Sequence, residues 1–191
     1  MRLFMTAVLL SGLALTGAEI PRQSPEYALT LPGGQQELLS KYKGKVVALE
    51  FLFTTCPHCQ KSATILSKLQ REYGAKGFQA LGVAINPTPD LTGFARQYAT
   101  AFPVGAGTRD SAYSYLQQSI MSQNFYVPQM VFIDRKGVIR GQYSGTDSFL
   151  GDQQEANMRA MIDRLLAEPG GPKPTSAKPA TKSKTAGKKV S

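Results

Sequence analysis

The chain has 191 residues, enough for one domain of ordinary size, and 42% of them are apolar, which suffices for a sizeable core. Its net charge of +9 is concentrated at one end, because residues 169–191 carry six lysines and no acidic residue. Residues 19–168 hold 15 basic and 13 acidic side chains, so this part of the chain is nearly neutral. The balance excludes a strongly basic folded surface and gives no indication of nucleic-acid binding.

The first residues are typical of a secretory signal peptide. Arg2 precedes an uncharged, mainly apolar stretch from Leu3 to Ala18, with the small residues Thr16 and Ala18 placed as at a cleavage site. The stretch is shorter than the roughly 20 apolar residues that span a bilayer comfortably. We therefore expect export to the periplasm or another extracytoplasmic, oxidising compartment, with residues 1–18 removed. An uncleaved membrane anchor is the alternative.

The next elements lead to a buried strand. Residues 19–26 are predicted to form a linker, Tyr27 to Leu31 a short strand, and Gln36 to Lys41 one helical turn. Val46 to Phe53 is apolar except for Glu50 and lacks the polar alternation of a half-exposed strand. It is therefore predicted to be a strand buried on both faces, as at the centre of an α/β sheet.

A helix that begins with the two cysteines of the chain is predicted to follow. Thr55 is the expected N-cap, and Pro57 lies in the first turn, where its missing N–H and fixed φ cost nothing. Cys56 then lies at the helix N-terminus and Cys59 one turn later on the same face. The two are close enough for a disulfide where the backbone geometry permits. The apolar stripe of this helix consists of Ile65, Leu66, Leu69 and Tyr73.

The rest of the chain alternates predicted strands and helices. A strand, a helix and a second strand in this order imply a right-handed crossover and parallel pairing. The remaining predicted elements are a strand Gln79 to Asn86, a helix capped by Asp90 or Thr92, an extended piece Phe102 to Val104, a helix capped by Asp110, a hairpin of Met130 to Asp134 with Val138 to Ser144, and an amphipathic helix from about Gln153 to Ala167. Residues 169–191 are expected to be disordered.

The cysteine pair favours redox chemistry over the other uses of this spacing. A zinc site needs about four ligands, and the sequence offers no second pair of cysteines or histidines beyond Cys56, His58 and Cys59. Haem attachment requires a histidine after the second cysteine, where this chain has Gln60. A structural disulfide is the remaining alternative. We expect no metal and no cofactor other than a redox-active disulfide.

Cys56 is the expected reactive thiol. Free backbone N–H groups and the positive end of the helix dipole favour its thiolate, and a protonated His58 beside it would add to this effect. The alternative for His58 is an exposed helix residue without a role in the chemistry.

Cys56-Pro57-His58-Cys59 after an apolar strand resembles the active site of the thioredoxin fold, and the Pro-His dipeptide matches DsbA-type oxidases. The surrounding segments are similar to the TlpA/ResA branch of extracytoplasmic thioredoxin-like proteins in the redoxin/AhpC-TSA superfamily. The resemblance implies an α/β fold over residues 27–168, with a central mixed sheet flanked by helices and an N-terminal strand extension. The matching segments are Tyr27 to Leu31, Tyr42 to Val47, the active-site segment and Val127 to Asp134, followed by Lys136 and Gly137.

The resemblance also implies roles for individual residues. Glu50, six residues before Cys56, matches the buried aspartate of thioredoxins, so its pKa should be raised and it should shuttle the proton of Cys59. Its alternative is an edge-strand glutamate pointing to water. Pro128 matches the cis-proline that faces the disulfide, and the Val127 backbone would offer hydrogen bonds to an extended substrate segment. Pro57 is expected to line the same substrate site.

The expected function is that of an exported, monomeric thiol–disulfide oxidoreductase that acts on protein cysteines and is reset by a redox partner. The direction of electron transfer stays open. The Cys-Pro-His-Cys motif favours oxidation of substrate thiols, whereas the similarity of the surrounding segments to TlpA/ResA proteins favours reduction of partner disulfides. A peroxiredoxin-like peroxidase is one alternative, but its pattern requires Thr and Pro where this chain has Phe53 and Leu49. The other is a non-enzymatic protein whose basic tail, residues 169–191, binds anionic envelope surfaces.

Overall fold

The computed structural model describes residues 19–121 and 124–170, so the predictions for the signal peptide and the basic tail fall outside the described residues. The strands are β1 Arg22–Gln23, β2 Ala28–Thr30, β3 Gln36–Leu38, β4 Val46–Leu52, β5 Phe78–Ala84, β6 Val104–Ala106, β7 Gln129–Ile133 and β8 Val138–Tyr143. The helices are α1 Pro57–Tyr73, α2 Leu91–Gln97, α3 Arg109–Leu116 and α4 Gln154–Ala167. Short 3₁₀ turns lie at Leu39–Tyr42, Gly74–Lys76 and Ser148–Leu150.

The strands form one mixed sheet in the order β1-β8-β7-β4-β5-β6-β2-β3. β4 pairs parallel with β5 across the helical crossover α1, and antiparallel with β7 on its other side. All seven residues of β4 are buried, as expected for a strand with neighbours on both edges and layers on both faces. The predicted α/β fold, with a central mixed sheet and a parallel crossover, is confirmed.

A hydrophobic core lies on each face of the sheet. On one face α1 and α4 pack through residues such as Leu66, Leu69, Met158 and Ile162, all of them fully buried. On the other face α3 covers the sheet together with the N-terminal strands. The aromatic rings of Tyr27, Phe51 and Tyr115 meet there, and Tyr27 makes edge-on contacts with both partners at centroid distances of 5.3 and 5.5 Å. The two cores fix β4, and therefore the start of α1, in the middle of the molecule.

The predicted linker, residues 19–26, is wrong in part because β1 lies within it. Arg22 and Gln23 pair antiparallel with Ile139 and Val138 of β8. The Arg22 guanidinium also donates hydrogen bonds to the Tyr115 carbonyl oxygen at 3.0 Å and to Oε1 of Gln142 at 2.8 Å. The folded domain therefore begins before residue 27.

The predicted helical turn at Gln36 to Lys41 is also wrong in part. Gln36–Leu38 forms β3, which pairs antiparallel with β2, and only Leu39–Tyr42 is helical. The turn between β2 and β3 contains Gly33 and Gly34, both with positive φ, which brings the two short strands into register. Local propensity is overridden here by strand pairing.

Two helix caps differ from the prediction, and one is confirmed. Cys56, rather than Thr55, is the N-cap of α1, with Pro57 as the first helical residue. Thr108, rather than Asp110, caps α3, because Thr108 and Ser111 exchange side-chain to backbone hydrogen bonds at both ends of a capping box. Asp90 caps α2 as expected, accepting a hydrogen bond from the Gly93 N–H at 2.8 Å.

The predicted extended piece Phe102 to Val104 is displaced by two residues, to β6, where it pairs with β5 and β2. Among residues 19–121 and 124–170, no helix is long and apolar enough to cross a membrane.

Candidate active site

The two cysteines lie where the central strand gives way to α1. The Cys56 N–H donates to the Phe53 carbonyl oxygen at 3.1 Å, and the Cys56 carbonyl oxygen accepts from the Gln60 N–H at 3.0 Å. Both cysteines are free thiols; Cys56 is half-buried, whereas Cys59 is fully buried. Pro57 between them starts the helix without losing a hydrogen bond. The arrangement leaves Cys56 as the cysteine that another molecule can reach.

Cys59 is held as a neutral thiol by its surroundings. Burial raises the pKa of the Cys59 thiol well above its usual range, and the negative charge of Glu50 and contact with the Cys56 thiol raise it further. A hydrogen bond with the Phe53 backbone acts in the opposite direction. Cys59 therefore needs a neighbouring base before its sulfur can act as a nucleophile.

Glu50 is fully buried in the middle of β4, opposite Gly82 of β5 and Met130 of β7. Burial raises the pKa of Glu50 to about 8, and the Ser62 hydroxyl nearby opposes this rise. Within the described residues neither carboxylate oxygen has a hydrogen-bond partner in the present geometry. The edge-strand alternative for Glu50 is excluded, because β4 has neighbours on both sides. The carboxyl group is poised to gain or lose a proton near neutral pH.

Val127 and Pro128 lie at the same end of the sheet as the cysteines. Gln129 is paired with Phe51, so Pro128 immediately before it lies beside the end of β4, from which the cysteine loop departs. The Val127–Pro128 peptide bond is cis, with Pro128 buried and Val127 half-buried. Gly145 packs against this bond so closely that a Cβ added there would lie 2.5 Å from the Val127 carbonyl oxygen. The register thus brings Val127 and Pro128 to the site that the cysteines form.

A hydrogen-bonded brace, which the sequence did not reveal, holds the loop before Cys56. Oδ1 of Asn86 accepts from the Thr54 N–H at 3.0 Å, and Nδ2 of Asn86 donates to the Thr54 hydroxyl at 3.2 Å. Nε2 of Gln60 donates to the Thr54 carbonyl oxygen at 3.0 Å. Asn86 follows β5, and the parallel pairing of β5 with β4 places it beside Thr54. A polar residue just after a strand that pairs in parallel with β4 is the signal that could have identified Asn86.

The Redoxin family model matches residues 16–162, which is most of the chain and includes every element from β1 to the middle of α4. The chain belongs to the Redoxin family. Together with the relatives described next, this membership makes the chain a thiol–disulfide oxidoreductase by class.

Proteins similar to this chain are named as thioredoxin-like proteins or as thiol–disulfide oxidoreductases. The thioredoxin-like protein YneN of Bacillus subtilis is 30% identical over 136 residues, which are 68% of this chain and 74% of YneN. The thiol-disulfide oxidoreductase ResA of Geobacillus kaustophilus is 25% identical over 132 residues, 69% of this chain and 72% of ResA. A Chlorobium tepidum protein assigned as thiol:disulfide interchange protein DsbE superposes with a TM-score of 0.61 and 26% identity, over 74% of this chain and 96% of that structure. These similarities confirm the thioredoxin-like fold.

The predicted site residues of this Redoxin-family chain fall into three groups. The half-buried Cys56 and the fully buried Cys59 and Glu50 form one cluster, and Val127 and Pro128 lie at the same end of the sheet. Pro57 and His58 are exposed on the first turn of α1. Among the described hydrogen bonds and ion pairs, none joins His58 to a cysteine, so its tuning role stays a prediction. No group of three or more His, Cys, Asp or Glu side chains in the described residues could hold a metal ion.

Proposed function

We propose that the protein exchanges a Cys56–Cys59 disulfide with cysteines of protein substrates. The observation that carries this proposal is the pairing of a reachable Cys56 with a fully buried Cys59 beside the buried Glu50. A reachable sulfur can bond to a sulfur of another protein, whereas a buried one can react only with its neighbour. Membership in the Redoxin family and the names of the relatives support the same activity.

The proposed reaction has two exchange steps. In the first, the Cys56 thiolate attacks one sulfur of a substrate disulfide, and the other substrate sulfur leaves as a thiolate that takes a proton from water. In the second, Glu50 takes the proton of Cys59, the Cys59 sulfur attacks the Cys56 sulfur, and the remaining substrate sulfur leaves as a thiolate. Two electrons pass from the cysteine pair to the substrate, and each new S–S bond replaces one that breaks.

We favour the reducing direction on electrostatic grounds. A pair becomes more oxidising when the protein stabilises the thiolate of its reduced form. His58, which would supply such stabilisation, is exposed, where solvent and salt screen its charge. Glu50 also disfavours a thiolate at Cys59. A redox partner that donates two electrons is then required to return the disulfide to two thiols.

The substrate segment is proposed to lie across the Val127–Pro128 bond and the exposed Pro57. Val127 lies two residues before the start of β7, so its backbone could extend the strand pairing to a bound polypeptide. An extended segment that carries a cysteine would reach Cys56 from this position. Substrates are therefore expected to carry their disulfides in accessible, extended segments of polypeptide.

The location proposed is extracytoplasmic, on the strength of the apolar stretch from Leu3 to Ala18. The six lysines of residues 169–191 are proposed to contact anionic envelope surfaces. Cell fractionation of the full chain and of a variant that ends at residue 168 tests both statements. Export should persist and surface association should fall in the shortened variant, with redox activity unchanged.

A trapping experiment tests the proposed chemistry. Reduced Cys59→Ser should form a stable mixed disulfide with a disulfide-bonded polypeptide such as insulin, since nothing remains to resolve it. The matched variant Cys56→Ser should form none, because Cys59 is buried. Intact mass before and after reduction measures the adduct. A trap in Cys56→Ser alone, or in neither variant, would show that the proposed chemistry is wrong. Hydrogen peroxide turnover that survives in Cys59→Ser would favour the peroxidase alternative instead.

A further inference from the structure

Ser62 is a buried polar residue to which the mechanism above gives no task. It lies on α1 three residues after Cys59, so the two side chains share one face of the helix. Its side chain is fully buried, and its hydroxyl has no hydrogen-bond partner in the present geometry. A buried hydroxyl without a partner costs free energy, which calls for an explanation of why it is there.

The buried carboxyl group of Glu50 is the group to which the Ser62 hydroxyl could donate a hydrogen bond. Both oxygens of its carboxyl group are also buried without a partner. The Ser62 hydroxyl is close enough to lower the pKa of Glu50, although no hydrogen bond is formed between them at present. Two unsatisfied polar side chains of complementary type therefore face each other across the space between β4 and α1.

Burial and the Ser62 hydroxyl are the two causes that displace the pKa of Glu50, and no other charged side chain of the described residues contributes to it. The sheet neighbours of Glu50 are Gly82 and Met130. The buried hydrophobic residues of α4 on this face are Met158, Met161, Ile162 and Leu165. The titratable side chains of the same core are Cys56, Cys59, Tyr73, Tyr98 and Tyr143. The hydroxyl of Tyr73 accepts a hydrogen bond from Arg159 at 3.0 Å, so it is already engaged.

We propose that Ser62 is a positioning residue, whose hydroxyl donates a hydrogen bond to the ionised Glu50 carboxylate and so maintains it as the base for Cys59. When Glu50 is protonated, the carboxyl group is neutral and can exist in its apolar surroundings without a donor. When Glu50 loses its proton, the charged oxygen needs a donor, and rotation of the Ser62 hydroxyl supplies it. The inference rests on the proposed function, because it concerns the second exchange step.

Ser62 does not change the proton and electron balance of the second exchange step. The proton of Cys59 passes to Glu50, the Cys59 sulfur bonds to the Cys56 sulfur, and the bond from Cys56 to the substrate breaks with its electron pair on the substrate sulfur. As Glu50 becomes neutral, the Ser62 hydrogen bond to it weakens. Ser62 itself gains and loses no proton.

The test is the pH profile of the second exchange step. Reduced protein is mixed with 5,5′-dithiobis(2-nitrobenzoate), and the second release of coloured thiol, which reports attack of Cys59 on Cys56, is followed by stopped flow. In the unmodified protein the rate should rise with a midpoint near the Glu50 pKa of about 8. In Ser62→Ala we expect the midpoint to move up by about one pH unit, because a hydrogen bond to a charged group is lost. The rate at neutral pH should fall roughly tenfold while the alkaline plateau is kept.

Two variants serve as controls. Ser67 lies on the same helix, is also buried, and donates its hydroxyl to the Ala63 carbonyl oxygen at 2.8 Å, away from Glu50. Ser67→Ala should therefore keep the profile of the unmodified protein. Ser62→Thr keeps a hydroxyl and should restore the original midpoint. Should Ser62→Ala fail to fold, the isosteric pair Ser62→Thr and Ser62→Val carries the same comparison.

A carbon-13 NMR titration of the Glu50 carboxyl in the reduced protein gives a readout that does not depend on activity. Its midpoint should move upward in Ser62→Ala by the same amount as the kinetic midpoint. An unmoved midpoint in Ser62→Ala, or the same displacement in Ser67→Ala or Ser62→Thr, would overturn the role of Ser62. Absence of any second thiol release in the unmodified protein would instead contradict the proposed function, so the two failures are distinguishable.

Discussion

Replacement of the buried acid, Glu50→Gln, should change how the stability of the reduced protein depends on pH. Glu50 is fully buried, and burial raises its pKa from an ordinary 4.5 to about 8. Between these two values the folded state holds a proton that the unfolded state has lost. Unfolding therefore becomes easier as the pH rises through this window, and the cost is complete above the folded-state pKa.

The size of the effect follows from the width of the window. Each pKa unit corresponds to about 1.4 kcal/mol, so the full displacement of the Glu50 pKa from 4.5 to about 8 corresponds to about 5 kcal/mol. The glutamine side chain of the variant carries no titrating proton, and any cost of burying its amide is independent of pH. The free energy of unfolding of Glu50→Gln minus that of the unmodified protein should therefore rise by about 1.4 kcal/mol per pH unit across the window.

The assay is urea unfolding of both proteins from about pH 5 to about pH 9 under reducing conditions, which keeps both cysteines as thiols. Glu37→Gln is a matched control. Glu37 is also buried, but Tyr42 and Lys41 donate hydrogen bonds to its carboxylate and lower its pKa. Its contribution to stability is present above the ordinary pKa of a glutamate and is lost only as the pH falls, so the Glu37→Gln difference should be flat over the same range. A flat difference for Glu50→Gln would refute the account of Glu50 as a buried acid with a raised pKa.

Three further substitutions test the geometry of the site and the fold. Gly145→Ala places a Cβ 2.5 Å from the Val127 carbonyl oxygen. We therefore expect the free energy of unfolding to fall by about 1–3 kcal/mol and the KM for a polypeptide disulfide to rise. The control Gly170→Ala, where the nearest atoms belong to the flexible Arg135 side chain, should change neither quantity. Asn86→Ala removes the acceptor of the Thr54 N–H at 3.0 Å and should lower the free energy of unfolding in urea by about 1 kcal/mol. Asn86→Asp keeps that acceptor and should lower it by less. Equal losses in the two variants would show that the brace is unimportant. Thr108→Ala should destabilise the protein by about 1 kcal/mol through loss of the α3 cap, whereas Asp110→Ala should destabilise it by only a few tenths of a kcal/mol. The reverse order in thermal unfolding would contradict the role of Thr108 as the cap.

The central elements could be predicted because their signals are local and strong. The apolar run at Val46 to Phe53 indicated a strand buried on both faces, and the stripe that follows indicated a long helix. The position of Glu50 within that run, together with its match to the buried aspartate of thioredoxins, predicted a buried acid near the cysteines, with an exposed edge-strand glutamate as the alternative. These features depend on residues within one strand and one helix, so sequence spacing describes them adequately.

What could not be predicted depends on contacts between distant segments. β1 is two residues long and exists because β8 offers an edge to pair with. Asn86 acts on Thr54 only because the register of β4 with β5 brings the two together. Ser62 is an ordinary helix residue in the sequence, and its importance appears only when its burial beside Glu50 is known. The N-cap at Cys56 was missed because it uses the extended backbone of Cys56, with φ of −85° and ψ of 122°, and no side-chain hydrogen bond.

Cys56 and Cys59 are proposed to form a reversible redox couple that works in the reducing direction. Equilibration of the protein with glutathione or dithiothreitol buffers of graded potential, followed by alkylation of free thiols and intact mass, measures that couple directly. We predict a single two-electron transition that involves both cysteines, at a thioredoxin-like potential of about −270 mV. A potential close to about −120 mV, as in strong oxidants, would contradict the reducing direction. The absence of any reversible transition would contradict the assignment as a thiol–disulfide oxidoreductase.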